Sequence, residues 1–294
     1  MSTVSLLTAY CAAIIISSLV GGMLPRWLRL THTRMQLALS FVGGVMLGAA
    51  LLHLLPHAAA EMHSIERAAA WTLIGFIAMF FLERVFHSHH HDAPADEQAA
   101  EHACGHAHDH AQAHEHRGSS SGGPSQWIGA LVGLGVHSVL DGVVLAAAVS
   151  TEALESPEVW AVGVTVFLVV LLHKPFDSLT LGTLMASSHA SPRALAIVNV
   201  LYALLVPLGV AMFYLGMAPS ADPMILGEVL AFAAGMFLCI STSDLLPELQ
   251  FHTHDRMKLS IALALGLALA AGLVKLEASH HTHHHGDAHS HHQH

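Results

Sequence analysis

Apolar residues along this chain do not alternate with polar ones at a strand or amphipathic-helix period; they form long blocks. Eight blocks of about 20 predominantly apolar residues lie near 4–24, 35–56, 69–86, 127–150, 159–185, 193–216, 224–247 and 259–276. Each is long enough, at a rise of about 1.5 Å per residue, to cross the roughly 30 Å hydrocarbon core of a bilayer. The pattern predicts an all-α integral membrane protein with eight transmembrane helices. It divides the chain into helices 1–3 (residues 1–86), a polar loop (87–125), helices 4–5 (126–186), helices 6–8 (187–279) and a polar tail (280–294).

Composition sharpens this reading. Hydrophobic residues make up 53% of the chain and charged ones 11%, against about 25% charged in an average soluble domain. The surplus apolar surface has to face lipid. The net charge of −10 leaves no basic surface for nucleic acid. Three scattered cysteines, with no CxxC, make neither a disulfide framework nor a zinc ribbon. With both termini outside, Arg26, Arg29, Arg34, Arg84, Arg117, Arg193, Arg256 and Lys258 all fall on the cytoplasmic side. Only Arg67 and Lys275 fall outside, so the positive-inside rule favours that orientation, with loop 87–125 cytoplasmic. The first block lacks a basic flank and a cleavage signature, and is expected to be retained as a helix. The loop carries ten histidines and the tail nine; with little to bury, both are expected to be disordered, and dense imidazoles suit borderline divalent metals.

Two blocks share a hidden repeat. "FVGGVMLGAALLHLLPHA" (Phe41 to Ala58) aligns without a gap on "FAAGMFLCISTSDLLPEL" (Phe232 to Leu249). The alignment sets His53 and His57 against Asp244 and Glu248. Blocks 4 and 5 match in the same way, through "HSVLDG" (His137 to Gly142) and "HKPFDS" (His173 to Ser178). Both matched pairs run antiparallel across the membrane. Helices 1–3 are therefore expected to relate to 6–8, and helix 4 to 5, by an axis in the membrane plane. Such inverted repeats characterise transporters that bind substrate at the midplane.

Ionisable groups inside spans are costly, by about 2.5–3.5 kcal/mol each at the bilayer centre, and so point to function. His137 and Asp141 sit four apart on one helix face, and His173 and Asp177 repeat the arrangement on the next helix. Two imidazoles and two carboxylates are what a tetrahedral Zn2+ site takes. The same donors would accept Cd2+, Fe2+ or Mn2+, and no organic cofactor is called for. Pro175 removes one helical hydrogen bond and frees a carbonyl near Leu171, which needs a partner. His53 and His57 toward the outer end, and Asp244 and Glu248 toward the inner end, are candidate path residues.

On these motifs the chain resembles the Zrt/Irt-like (ZIP) divalent-metal transporters, across all eight spans and the His-rich loop after the third. The resemblance implies a 3+2+3 inverted-repeat bundle, movement of metal into the cytoplasm, and a homodimer in the cell membrane. It also implies that His137, Asp141, His173 and Asp177 are the primary ligands. Many members bind a second ion through an Asn after the span-4 His, an acid after the span-5 His and a Glu before a span-6 Pro. Here those positions are Ser138, Lys174 and Val206. The reading is therefore a single-metal site, with the Lys174 ammonium in place of the second cation, about 4–6 Å from the carboxylates. A cation-diffusion-facilitator exporter is the nearest alternative. It would place its pairs in the second and fifth of six spans and add a folded C-terminal domain. An intramembrane metalloenzyme would need an open metal position and a general base; no HExxH occurs, and the protein is read as a transporter, not an enzyme.

Overall fold

A computed structural model describes residues 2–27, 32–87, 124–155, 162–216, 222–251 and 256–282. These form ten α-helices: α1 (Thr3–Trp27), α2 (His32–Ala49), α3 (Leu55–Glu61), α4 (Ile65–His87), α5 (Pro124–Glu155), α6 (Val164–Ser187), α7 (Pro192–Ala203), α8 (Leu205–Gly216), α9 (Pro223–Phe251) and α10 (Arg256–Thr282). There is no strand among the described residues. The His-rich loop and tail fall almost wholly outside them.

Among the described residues, eight helical spans are long and apolar enough to cross a membrane. Spans 1, 3, 4, 5, 7 and 8 are α1, α4, α5, α6, α9 and α10. Spans 2 and 6 are each built from two helices, and a proline lies beside both breaks. In span 2 a π-helical turn, Ala50–Leu54, joins α2 to α3 just before Pro56, a departure that proline permits but does not by itself impose. Pro56 has no N–H to return to the preceding turn, and Leu55 N–H bonds instead to the Ala50 carbonyl five residues back. In span 6 the break at Leu204 lies under Pro207, whose ring crowds the Ala203 carbonyl. The gap-free repeat therefore holds in sequence but not in conformation. Span 7 passes Pro247 as continuous α-helix, whereas span 2 does not pass Pro56 that way.

Helix starts and stops follow local chemistry. Ser191 and Asp222 each precede a proline, and their side chains accept from Ala194 N–H (3.2 Å) and Met224 N–H (3.0 Å). His63 and His189 take left-handed backbone angles just past α3 and α6, and the following N–H reaches back five residues to close each end.

The bundle obeys the inverted repeat. Its heaviest pairings are spans 2 with 8, 3 with 7, 1 with 5, and 4 with 6, with 2 against 7 at the centre. Exchanging 1 with 6, 2 with 7, 3 with 8 and 4 with 5 maps this set onto itself. Individual contacts follow. On the 2–8 interface Gly44 faces the Leu263 carbonyl and Gly266 faces the Phe41 carbonyl. On the 3–7 interface Gly235 faces Thr72 and Gly75 faces Phe232, related by the same sequence offset that aligns Phe41 with Phe232. Lipid provides no hydrophobic drive between helices, so close backbone approach through glycine supplies the packing. The 4–6 contact of Gly142 with Gly209 has as its counterpart on 5–1 a 2.7 Å hydrogen bond between the Ser18 and Ser178 hydroxyls. Spans 2 and 7 are the most buried, while 3, 6 and 8 turn most of their apolar surface outward.

Candidate metal centre

His137 and Asp141 on α5 meet His173 and Asp177 on α6, as the spacing predicts. One ligand atom from each of the four lies within 4.8 Å of every other, the one such group of His, Cys, Asp and Glu among the described residues. Asp141 Oδ2 is 3.5 Å from His137 Nε2 and 3.3 Å from His173 Nε2, and Asp177 Oδ2 is 3.8 Å from His173 Nε2. Zinc bonds to nitrogen and oxygen of about 2.0–2.2 Å put the donors of a tetrahedral site some 3.3–3.6 Å apart. The observed separations are close to that spacing.

Hydrogen bonding orients the candidate ligands. His173 Nδ1 lies 2.8 Å from the Val169 carbonyl. A carbonyl only accepts, so Nδ1 carries the proton, and Nε2, 3.3 Å from Asp141 Oδ2, is the ring nitrogen aimed into the cluster. Neither ring nitrogen of His137, nor Asp141 Oδ1, has a hydrogen-bond partner although all are buried; such orphaned groups are rare in a core unless they have a ligand to bind. The carbonyl freed by Pro175 is that of Leu171, and it accepts from the Ser17 hydroxyl at 2.9 Å.

The site is closed on one side. Toward the C-terminal end of α5 and the N-terminal end of α6 it is sealed by Leu145, Val149, Val166, Val169 and Val170, all fully buried. On the other side lies a cavity of about 170 Å³, lined by His137 and Asp177 themselves and by Leu39, Leu134, Thr180 and Glu83. Glu83, near the end of α4, accepts from the Ser243 hydroxyl at 3.3 Å.

Sequence comparison now bears on this geometry. A family model described as "ZIP Zinc transporter" matches residues 4–274. The chain belongs to the ZIP zinc transporter family. Among curated relatives it is similar to zinc transporter ZIP9-A of Xenopus laevis, 23% identical, with 86% of this chain and 88% of the relative covered. It is also similar to ZIP9-B of the same organism, 24% identical with 82% and 85% covered. A third, zinc transporter ZIP9 of Micropogonias undulatus, is 25% identical over 60% of this chain and 50% of its own length.

Within this ZIP-family chain, Lys174 is completely buried, so its side chain does not snorkel toward a membrane surface. It lies closer to the carboxylates than the spacing suggested, with Nζ 3.3 Å from Asp141 Oδ2 and 3.7 Å from Asp177 Oδ2. The ammonium also donates to the Ser138 hydroxyl, which in turn donates to the Leu134 carbonyl at 2.6 Å. Val206 is fully buried, its carbonyl against Gly142.

Sequence reading missed Tyr202. This fully buried residue on α7 donates its hydroxyl to Asp177 Oδ2 at 3.2 Å, and its ring centroid lies 4.9 Å from Lys174 Nζ. Its position one turn before Val206, on the site-facing side of span 6, was the available signal. His53 and His57 are neighbours, with ring centroids 4.7 Å apart. Asp244 and Glu248 are carried on α9, but their side chains lie outside the described residues.

Proposed function

We propose that this protein moves Zn2+, or a divalent ion of similar character, from the extracytoplasmic side into the cytoplasm. It does so through a single-ion midplane site of His137, Asp141, His173 and Asp177. The observation that carries the reading is the convergence of these four donor groups, three buried and Asp177 partly so, at zinc-like spacing. Direction is supported by asymmetry. The cavity beside the site lies toward the helix ends that bear Arg34, Arg84, Arg193 and Arg256, the side the positive-inside rule makes cytoplasmic. The apolar seal lies opposite, so the bundle resembles an inward-facing carrier.

Lys174 fits this role as a fixed counter-charge. Ser138 and Val206 supply no ligand for a second ion, and the ammonium occupies space beside the carboxylates. His53 and His57 belong to the outer approach, Asp244 and Glu248 remain candidates for the inner one from their place in the sequence of span 7, and the His-rich loop and tail would gather or sense metal. A homodimer is the assembly the family resemblance implies. The test is uptake of radiolabelled Zn2+ into proteoliposomes, with Cd2+, Fe2+ and Mn2+ as competitors. His173→Ala and Asp177→Ala are expected to abolish uptake at matched insertion, because they remove ligands and not packing groups. Near-normal flux in either variant would sink the site assignment.

A further inference from the structure

Glu152 is a buried carboxylate that the midplane site does not use. It lies eleven residues beyond Asp141 on α5, which at about 3.6 residues per turn is three turns, or some 16 Å, along the same face. Between the two, that face carries only Leu145 and Ala148, both buried. The Glu152 side chain is 9% exposed, and its Oε1 is 3.3 Å from Nε2 of His53, itself 2% exposed. Its Oε2 accepts the Gly163 N–H at 2.7 Å, where a left-handed glycine starts α6. His53 sits in the π-helical turn of span 2, a distortion often found at functional sites because it re-aims a side chain. The His57 ring is tilted against it.

We propose that Glu152 and His53, with His57 beside them, form an outer transit site for a divalent cation, one apolar layer from the midplane centre. This rests on the transport reading above. A carboxylate oxygen and an imidazole at 3.3 Å, with a second imidazole ring beside them, suit a borderline dication, and fewer protein ligands than at the midplane favour exchange over retention. The backbone anchor on Oε2 holds the carboxylate in place while Oε1 faces the imidazole. The same anchor ties the outer station to the start of α6, the helix that carries His173 and Asp177.

The test uses full-length protein in proteoliposomes. Glu152→Gln keeps an acceptor for Gly163 N–H and a similar shape but loses the anionic ligand. Zn2+ uptake is expected to show a KM raised about tenfold, as loss of a metal-site partner gives, with Vmax within about twofold. Glu152→Asp is expected to recover part of the change. In a background with Cys11→Ser, Cys104→Ser and Cys239→Ser, the double variant His53→Cys/Glu152→Cys is expected to be protected from maleimide by Cd2+. That protection should persist when His173→Ala and Asp177→Ala are added. A wild-type KM in Glu152→Gln, or a lowered Vmax at unchanged KM, would overturn the proposal, as would the absence of Cd2+ protection. Failure of the midplane reading would show separately, as Zn2+ uptake that survives His173→Ala.

Discussion

Replacing Lys174 with methionine, a side chain of similar length and no charge, isolates the electrostatic part of the site. The ammonium is 3.3 Å from Asp141 Oδ2, and an ion bound to that oxygen stands about 2 Å away from it, so ammonium and ion are about 5 Å apart. At an effective dielectric of 20 their repulsion is about 6–7 kcal/mol. Relaxation and water cut this, and a surviving third, about 2 kcal/mol, is still a factor of about 30 in affinity. The lysine also competes with metal for Asp141, so both effects have one sign. With neutral imidazoles, the unloaded site carries −1 and the Zn2+-loaded site +1. Without the lysine these become −2 and 0. Because burial cost rises steeply with net charge, the native pair of states is balanced, and the variant favours the loaded one. Lys174→Met is therefore expected to bind Zn2+ at least tenfold tighter, by competition with a chromophoric chelator. It should also transport more slowly, because release is held back. The component abolished by His173→Ala separates the midplane site from the His-rich segments. Unchanged or weaker binding by a folded Lys174→Met protein, or two midplane ions in the parent, would refute the counter-charge argument.

Tyr202→Phe removes the hydroxyl bonded to Asp177 but keeps the ring beside Lys174. A loss of about 0.5–1.5 kcal/mol should appear as an uptake efficiency lowered about two- to tenfold, and wild-type efficiency would count against a positioning role. Gly75→Val is expected to lower thermal stability sharply, because a Cβ there meets the Phe232 carbonyl. Gly272→Ala, with nothing within 4 Å, should be neutral or slightly stabilising; thermal unfolding in detergent distinguishes them. Deleting residues 87–116 should leave measurable uptake, since the four midplane donors are all carried on α5 and α6, and complete loss of flux from a folded, inserted deletion would contradict this.

Much of this protein is legible in one dimension. Apolar block length determines the eight spans, because lipid forces every backbone group into an intrahelical bond. The His-x-x-x-Asp spacing determines that each pair shares a face, because helical periodicity alone sets it. Pro175 determines a free carbonyl at Leu171, because a missing N–H is covalent fact. What the sequence could not specify depends on contacts between distant segments. Ser17, from span 1, satisfies that carbonyl only because spans 1 and 5 pack together. Tyr202 reaches Asp177 across the gap between spans 5 and 6. Glu152 lies past residue 150, where the apolar block of span 4 ends, and only the longer α5 brings it into the bundle against His53. The π-helical turn was equally hidden. Span 2 and span 7 carry the same Leu-Leu-Pro, yet only one departs from the α-helix. Local chemistry permits both conformations, and the neighbouring helices select between them.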